Sequence, residues 1–249
     1  FGFNGYIDNM KGIHKNLSEK KINKVSFERE KTKLKYKKLY HPAIKNPIKN
    51  DINFKKNKII TGPNAAGKTT ILKATIINTI FSQQFGVGYF EKGTISPFDY
   101  IHCYINIPDT SGRDSLFQAE ARRCKEILDI IRDNPNSRHF CVFDELYSGT
   151  NPYEAISSAY AYLKYLHKYD NVNFVLTTHF LELCRRLEKE EGINNYHMKI
   201  ETDNDTFKYT YKMEKCISSI KGGVKVLRDL EYPNEIINIA NETLQELDI

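Results

Sequence analysis

The stretch of sequence that decides the fold is GPNAAGKT, at residues 62–69. It fits the pattern G-x-x-x-x-G-K-[ST], in which a loop between a strand and a helix cradles phosphate oxygens. A short apolar run at residues 58–61 precedes the loop, and a helix-like stretch at residues 70–83 follows it. A chance match is the alternative, but the flanking segments supply the context that the motif needs. The stretch therefore predicts a nucleotide-binding loop.

The residue types in this loop match the separate parts of phosphate binding. Gly62 and Gly67 permit a tight path in which successive backbone N–H groups point at the anion. The Lys68 amine can reach the β- and γ-phosphates, and the Thr69 hydroxyl can bind Mg²⁺. We therefore expect Mg²⁺ to accompany the nucleotide.

The composition indicates a large α/β domain, alone or with an appendage. The chain has 249 residues, of which 40% are hydrophobic, enough for a packed core. No run of about 18 apolar residues occurs, so we expect neither a membrane span nor a membrane partner. The five cysteines show no C-x-x-C spacing, so we expect reduced thiols. Because the chain begins at Phe1, we expect it to be a piece of a longer protein.

The net charge of +6 is unevenly distributed. Residues 1–60 contain 16 basic and five acidic residues, a net charge of +11, and the rest of the chain carries −5. The densest basic stretch, residues 29–38, could contact nucleic-acid phosphates. However, Lys33, Lys35 and Lys37 alternate with other side chains, which is typical of a strand with one solvated face. The alternation favours the solvated strand and leaves nucleic-acid binding as the alternative.

Buried apolar strands alternate with helices between residues 57 and 178, which predicts a largely parallel sheet with helices on both faces. The expected strands are residues 57–61, 100–107, 140–143 and 173–178. The expected helices are residues 68–84, 114–132 and 152–168.

The segments around this core have weaker patterns. Residues 1–40 are polar and basic, and we expect a short helix and one or two strands there. Gly88 and Gly93 are expected in loops. Residues 197–213 predict a β-hairpin that turns at residues 203–205.

The last segment, residues 217–247, is expected to be helical with a break near Pro233. No internal repeat is visible in the sequence.

Polar residues follow two of the expected strands, where parallel sheets bind ligands. After residues 140–143, Asp144 can hold Mg²⁺ and Glu145 can polarise the water that attacks a γ-phosphate. The alternative is a pair of helix-capping carboxylates. His179 follows residues 173–178 and can contact the γ-phosphate, although a lone histidine can also be structural.

A fourth segment, residues 111–120, runs from a loop into a helix. Ser115 can form a capping box there, which by itself indicates only a helix start. The segment lies between the phosphate loop and the two acids, where ABC-class ATPases carry a signature helix. In those proteins the N-terminus of that helix binds the γ-phosphate held by the other subunit.

Several blocks together resemble the ATPase domain of the MutS family. They are TGPN and GKTT within residues 61–70, FDELYSGTNPYE at residues 143–154, THFLEL at residues 178–183, His41-Pro42, and the terminal segment from Gly222 to Ile237. They occur in the family's order and cover about residues 41–247. The resemblance implies a P-loop NTPase of the ABC class, with a mostly parallel sheet, flanking helices, a small β-hairpin and C-terminal helices.

The resemblance also implies the site residues. It assigns ATP or ADP binding to Gly62, Pro63, Asn64, Ala65, Ala66, Gly67, Lys68, Thr69 and Thr70, with Ser115 acting on the other subunit's nucleotide. It assigns catalysis to Lys68, Glu145 and His179, and Mg²⁺ binding to Thr69 and Asp144.

This sequence departs from the family pattern at three places. Ser148 stands where a basic residue is common, and Asp114 is an extra residue before Ser115. Residues 47–48 are Pro-Ile, in the region where an aromatic residue packs on adenine.

The resemblance implies three parts. Residues 1–40 would be either the end of a preceding core or clamp region or a basic N-terminal extension. Residues 41–216 would be the ATPase domain, and residues 217–249 a helical dimerisation segment. The implied function is ATP hydrolysis in a dimer of MutS-type subunits, coupled to DNA binding in mismatch repair. DNA contacts would lie mostly outside this chain, and the location would be intracellular, in a nucleoid, nucleus or DNA-containing organelle.

Three other functions stay open at this point. A MutS-related ATPase could serve recombination control, DNA handling or a scaffold. An ABC ATPase with a membrane partner is disfavoured because no L-S-G-G-Q signature is present. A non-hydrolysing module is disfavoured because Lys68, Asp144, Glu145 and His179 occur together.

Overall fold

The computed structural model describes residues 2–29, 34–55, 57–105, 107, 115–203, 206–218 and 223–246. Its elements in chain order are α1 (Gly2–Ser18), β1 (Asn23–Phe27), β2 (Leu34–Leu39), β3 (Asn50–Asn53), β4 (Asn57–Thr61), α2 (Lys68–Phe85), β5 (Val87–Gly88), β6 (Lys92–Ile95), β7 (Tyr100–Tyr104), α3 (Leu116–Asp133), β8 (His139–Asp144), α4 (Pro152–Leu166), β9 (Val172–Thr178), α5 (Leu181–Leu187), β10 (Ile193–Asp203), β11 (Thr206–Lys215), α6 (Gly223–Asp229) and α7 (Asn234–Glu246).

A six-stranded sheet with the order β11-β10-β4-β9-β8-β7 forms the centre of the fold. Its pairs are parallel except for the β10–β11 hairpin. β4 is buried along its whole length and β9 along nearly all of it, as expected for strands covered on both faces. The α/β prediction is confirmed, although the described residues form two mixed sheets rather than one largely parallel sheet.

Two apolar clusters cover the faces of this sheet. On one face, Phe143 and Leu176 pack with Ile127 of α3 and Leu163 of α4. On the other face, Val142 and Val175 pack with Leu72 of α2 and with side chains of a second sheet. The strand ends are therefore held from both sides.

The second sheet, with the order β3-β2-β6-β1-β5, is not expected from the sequence. Gly88 and Gly93, predicted in loops, lie in β5 and β6, so that prediction is wrong. The rings of Tyr36 and Phe90 stack at 4.9 Å, and a Cβ atom on Gly93 would lie 2.7 Å from the Phe90 ring. Glycine at position 93 thus permits close aromatic packing within a strand.

The predictions for the first 40 residues are confirmed as a helix and two strands, α1, β1 and β2. β1 and β2 both pair with β6, which follows α2 in the chain. The division of the chain at residues 40 and 216 stays a prediction. Lys35 and Lys37 are exposed on β2, as a solvated strand requires, whereas Lys33 lies outside the described residues.

The hairpin prediction is confirmed by β10 and β11, which are longer than expected, and its turn at residues 204–205 lies outside the described residues. The terminal helices α6 and α7 flank Pro233, as predicted. Within the described ranges, no helix is both long and apolar enough to cross a membrane.

Two histidines are buried side by side on neighbouring strands of the central sheet. His102 is 4% exposed, and its Nε2 lies 3.1 Å from Nδ1 of the fully buried His139. Tyr100 stacks on His139 with ring centroids 5.0 Å apart. Burial, and next the nearby His139, lower the pKa of His102 to about 4.

This pair predicts a loss of stability in mild acid. An unfolded histidine titrates near pH 6.5, so the unfolded chain takes up the proton first and folding weakens as the pH falls from about 6.5 to about 4. We expect His102 to account for about 3 kcal/mol of the loss, measured by urea unfolding across this range. His102→Gln should flatten the slope, whereas His14→Gln, on the exposed part of α1, should not. Equal slopes in His102→Gln and the unaltered chain would contradict the assignment.

Candidate functional site

Three strand ends meet at one edge of the central sheet. β4, β9 and β8 are adjacent and parallel, and their register pairs Thr61 with Thr178 and Asp144 with Thr177. The segments that follow these strands therefore begin at the same level. These segments are the loop at residues 62–67, Asp144-Glu145 and His179.

The loop after β4 turns directly into α2. Gly67 has φ 96°, a left-handed conformation that favours glycine, and a Cβ atom there would lie 3.1 Å from the ring of Tyr211. Gly67 is also the N-cap of α2 and makes no side-chain capping bond, so N–H groups of the first turn are available to an anion. Ala66 is buried, whereas Asn64, Ala65 and Thr70 are exposed.

The side chain of Lys68 is buried against the backbone of the loop. Its side chain is 6% exposed, and its Nζ donates hydrogen bonds to the carbonyl oxygens of Gly62 at 2.8 Å and Pro63 at 3.3 Å. The same Nζ lies 3.3 Å from Oε1 of Glu145. The amine is thus held where backbone carbonyls and a carboxylate converge.

Asp144 lies at the end of β8, beside the first turn of α2. Thr69 Oγ1 donates to the Asp144 carboxylate at 3.0–3.1 Å, and Thr177 Oγ1 also donates to it. Among the described residues, no group of three or more His, Cys, Asp or Glu side chains could hold a metal. A hydroxyl and a carboxylate this close fit Mg²⁺, which takes few protein ligands and shares phosphate oxygens.

Glu145 contacts both Lys68 and His179. Its Oε2 lies 2.8 Å from Nδ1 of His179 and accepts a hydrogen bond from the His179 backbone N–H at 3.2 Å. Burial alone would raise the pKa of Glu145, but the hydrogen bond from His179 and the charge of Lys68 outweigh it and lower the pKa. Glu145 is therefore a carboxylate at neutral pH. Its backbone is left-handed, with φ 52°.

Ser115 lies at the N-terminus of α3. The expected capping box is present, because Gln118 N–H donates to Ser115 Oγ and Ser115 N–H donates to Gln118 Oε1. No hydrogen bond or ion pair in the described part of the chain joins Ser115 to Lys68, Asp144 or Glu145. Residues 111–114 of the expected signature segment lie outside the described residues.

A cavity of about 370 Å³ opens beside the loop, and the sequence does not predict most of its lining. Its walls include Gly67, Thr70 and Tyr211. They also include Pro47 and Ile48, in the region where the family resemblance implies an adenine-packing aromatic residue. The remaining lining residues are Tyr40, His41, Ile44, Asn46, Asn50, Ile71, Ala74 and Met198. Gly67, Thr70, His41 and residues 47–48 carry a sequence signal, whereas the walls at Tyr40, Asn50, Met198 and Tyr211 come from distant segments of the chain.

Asn50 holds one wall of this cavity. Its side chain donates to the Tyr211 carbonyl at 2.9 Å and accepts from the Met213 N–H at 2.8 Å. Tyr211 has φ 55°, so the strand is locally distorted at this point. The buried amide thus fixes β11 against β3 where the tyrosine faces Gly67.

The sequence matches known proteins over most of its length. The family model described as MutS domain V matches residues 58–248. The DNA mismatch repair protein MutS of Persephonella marina is 30% identical over 213 residues, which are 82% of this chain and 24% of that protein. The protein of the same name from Bacteroides fragilis is 31% identical over 196 residues, 76% of this chain and 22% of that protein.

A relative with a different name matches nearly as well. The Endonuclease MutS2 of Streptococcus uberis is 30% identical over 206 residues, which are 81% of this chain and 26% of that protein. The chain spans about a quarter of the length of these curated relatives.

The Asn50 bridge predicts a stability effect near the cavity. Asn50→Ala removes two hydrogen bonds of a buried side chain, one to the Tyr211 carbonyl and one from the Met213 N–H, which costs about 1–3 kcal/mol. Urea unfolding should show this loss, and Asn53→Ala at the exposed end of the same strand should change stability by less than about 0.5 kcal/mol. Equal stabilities of the two variants would mean that the bridge is energetically neutral.

Proposed function

This chain belongs to the MutS family, and from that membership we propose that it is a P-loop ATPase domain of the ABC class that hydrolyses ATP with Mg²⁺. One observation carries the proposal. Lys68, the Thr69–Asp144 pair and Glu145 converge at the edge of the sheet where the phosphate loop begins. A lysine, a hydroxyl–carboxylate pair and a second carboxylate are the groups that γ-phosphate hydrolysis uses.

The phosphates of ATP occupy the loop between Gly62 and Thr70. N–H groups at the start of α2 point at the phosphates, and the helix dipole favours their negative charge. The Lys68 amine, now bound to the Gly62 carbonyl, exchanges that bond for phosphate oxygens. Thr69 and Asp144 would hold Mg²⁺, whose charge neutralises the β- and γ-phosphate oxygens when it is bound.

Glu145 orients the water that attacks the γ-phosphate. Its carboxylate is ionised and next to the lysine, so it accepts a hydrogen bond from that water and directs the oxygen at phosphorus. His179 holds the other carboxylate oxygen, and we expect it to contact the γ-phosphate. Because phosphoryl transfer has a loose transition state, positioning and charge neutralisation supply most of the catalysis.

The adenine base occupies the cavity beside the loop. The cavity adjoins Gly67 and Thr70 and is lined by the ring of Tyr211 and by Ile44 and Ile48. Flat aromatic and apolar walls beside a phosphate site suit a purine ring. Tyr211 therefore takes the place of the adenine-packing aromatic that the sequence around residues 47–48 does not provide.

Two copies, or this chain and a related subunit, form the complete site. The exposed Ser115 caps the N-terminus of α3 and has no hydrogen bond to Lys68 among the described residues, which suits a role on the nucleotide of a facing subunit. The dimer couples ATP hydrolysis to DNA binding in mismatch repair, with most DNA contacts outside this chain. The assignment to mismatch repair is supported by relatives that bear that name.

A second candidate function rests on the relative named Endonuclease MutS2. Its identity of 30% equals that of the first relative, so a MutS-related ATPase with a role outside mismatch repair is supported by the same kind of match. The ATPase site would be the same in both cases.

The ATPase proposal is tested by separating binding from turnover. Lys68→Ala should lose ATP binding, because it removes the one buried cation of the loop. Glu145→Gln should bind ATP, slow turnover at least about a hundredfold and accumulate as an ATP-bound dimer. Calorimetry with ATP·Mg²⁺, phosphate release and light scattering measure the three effects. Lys164→Ala and Glu182→Gln, exposed on α4 and α5, are controls. Normal turnover by Glu145→Gln would remove its catalytic role.

The shared site is tested at the helix cap. Ser115→Arg places a bulky cation at the N-terminus of α3, so ATP-dependent dimerisation and turnover should fall while binding of ATP to one subunit persists. Light scattering and steady-state ATPase assays measure the two effects. Ser157→Arg, exposed on α4, is the matched control. Unchanged ATPase activity of Ser115→Arg would contradict the shared site.

A further inference from the structure

A buried carboxylate from α3 holds the loop that follows Glu145. Glu120 is 2% exposed, and its Oε1 accepts hydrogen bonds from Ser148 N–H at 3.2 Å and Ser148 Oγ at 3.1 Å. Its Oε2 accepts from Gly149 N–H at 3.0 Å. One acidic side chain thus binds two successive residues of the turn, Ser148 and Gly149.

The loop offsets part of the free-energy cost of burying this carboxylate. Glu120 shares the buried face of α3 with Cys124, Ile127 and Ile131, where an apolar side chain would be expected. A buried carboxylate without hydrogen-bond donors is strongly unfavourable. Because its donors come from residues 148–149, Glu120 and the turn stabilise each other.

The loop needs such support because its backbone is strained. Glu145 and Tyr147 are left-handed, with φ 52° and φ 59°, a conformation that costs a non-glycine residue roughly 1–2 kcal/mol. Such conformations persist only where surrounding contacts hold them. The Tyr147 N–H donates to the Tyr104 hydroxyl at 3.3 Å, and the bonds to Glu120 follow one and two residues later.

The same loop also packs on the first turn of α3. A Cβ atom on Gly149 would lie 2.7 Å from Leu116 Cγ, so the glycine permits this close approach. The rings of Tyr147 and Phe117 lie 5.6 Å apart. The backbone after Glu145 and the start of α3, which Ser115 caps, are therefore joined by both polar and apolar contacts.

We propose that Glu120 is a positioning residue, which holds the backbone at residues 145–149 so that the Glu145 carboxylate faces the attacking water. This inference rests on the proposed ATPase function. Glu120 is too deeply buried to touch the nucleotide and acts through Glu145. Glu120 belongs to the helix that Ser115 begins, so the start of α3 is joined to the backbone that carries Glu145.

The test is a double-mutant cycle in the full chain. Glu120→Gln keeps the size of the side chain but presents an NH₂ group to N–H donors, so the turn loses an acceptor. We expect kcat to fall at least about tenfold while the KM for ATP changes less than about threefold. Glu126→Gln, exposed on the same helix, is the matched control and should leave both constants unchanged.

The cycle separates positioning from folding. If Glu120 acts through Glu145, adding Glu120→Gln to Glu145→Gln should lower single-turnover hydrolysis no further. The proposal would be overturned if the double variant showed the product of the two single-variant losses in rate. It would also be overturned if Glu120→Gln changed kcat and KM by the same factor. Ser148→Ala, which removes only the hydroxyl donor, repeats the test if Glu120→Gln does not fold, with an expected fall in kcat of about threefold.

Different results overturn the role of Glu120 and the proposed catalytic site. Loss of activity in Glu145→Gln together with normal activity in Glu120→Gln and Ser148→Ala would overturn the role of Glu120 alone. Normal activity in Glu145→Gln would overturn the proposed catalytic site, and the role of Glu120 would fall with it.

Discussion

The parallel register of β4, β9 and β8 is the constraint on which the candidate site depends. Ile60 pairs with Thr177 and Thr177 pairs with Asp144, so the segments that follow the three strands leave the sheet at one level. A slip of one residue would turn each buried side chain to the opposite face. The contacts of Lys68 with Glu145 and of Thr69 with Asp144 are therefore set by packing inside the sheet as much as by the loops.

Much of this arrangement could be predicted from the sequence because it depends on local patterns. The apolar runs before Gly62, Asp144 and His179 are strands, and their observed ends differ from the predicted ones by two residues or fewer. The capping box at Ser115 follows from the spacing of Ser115 and Gln118. In these segments the residues that form the strand or the helix cap also supply the sequence pattern that predicts it.

Other features depend on contacts between distant segments, which no local pattern records. In the second sheet, β1 pairs with β6 although the whole of α2 separates the two strands in the chain. Gly93 has the residue type of a turn, but its place in the strand permits aromatic packing. The cavity wall at Tyr211 depends on Asn50, which lies 161 positions earlier. Glu120 did carry a signal, since helical spacing places it on the face of Cys124 and Ile127. A charge on that face indicates a buried partner without identifying it.

In the proposed ATP site, the existing bonds of Lys68 would make phosphate binding an exchange of partners. The amine has acceptors in Gly62, Pro63 and Glu145, which a phosphate would have to replace. The net free energy of binding is then the difference between the two sets of contacts, and it is more favourable for an anion of higher charge. The proposed site would therefore favour a polyphosphate over anions of lower charge.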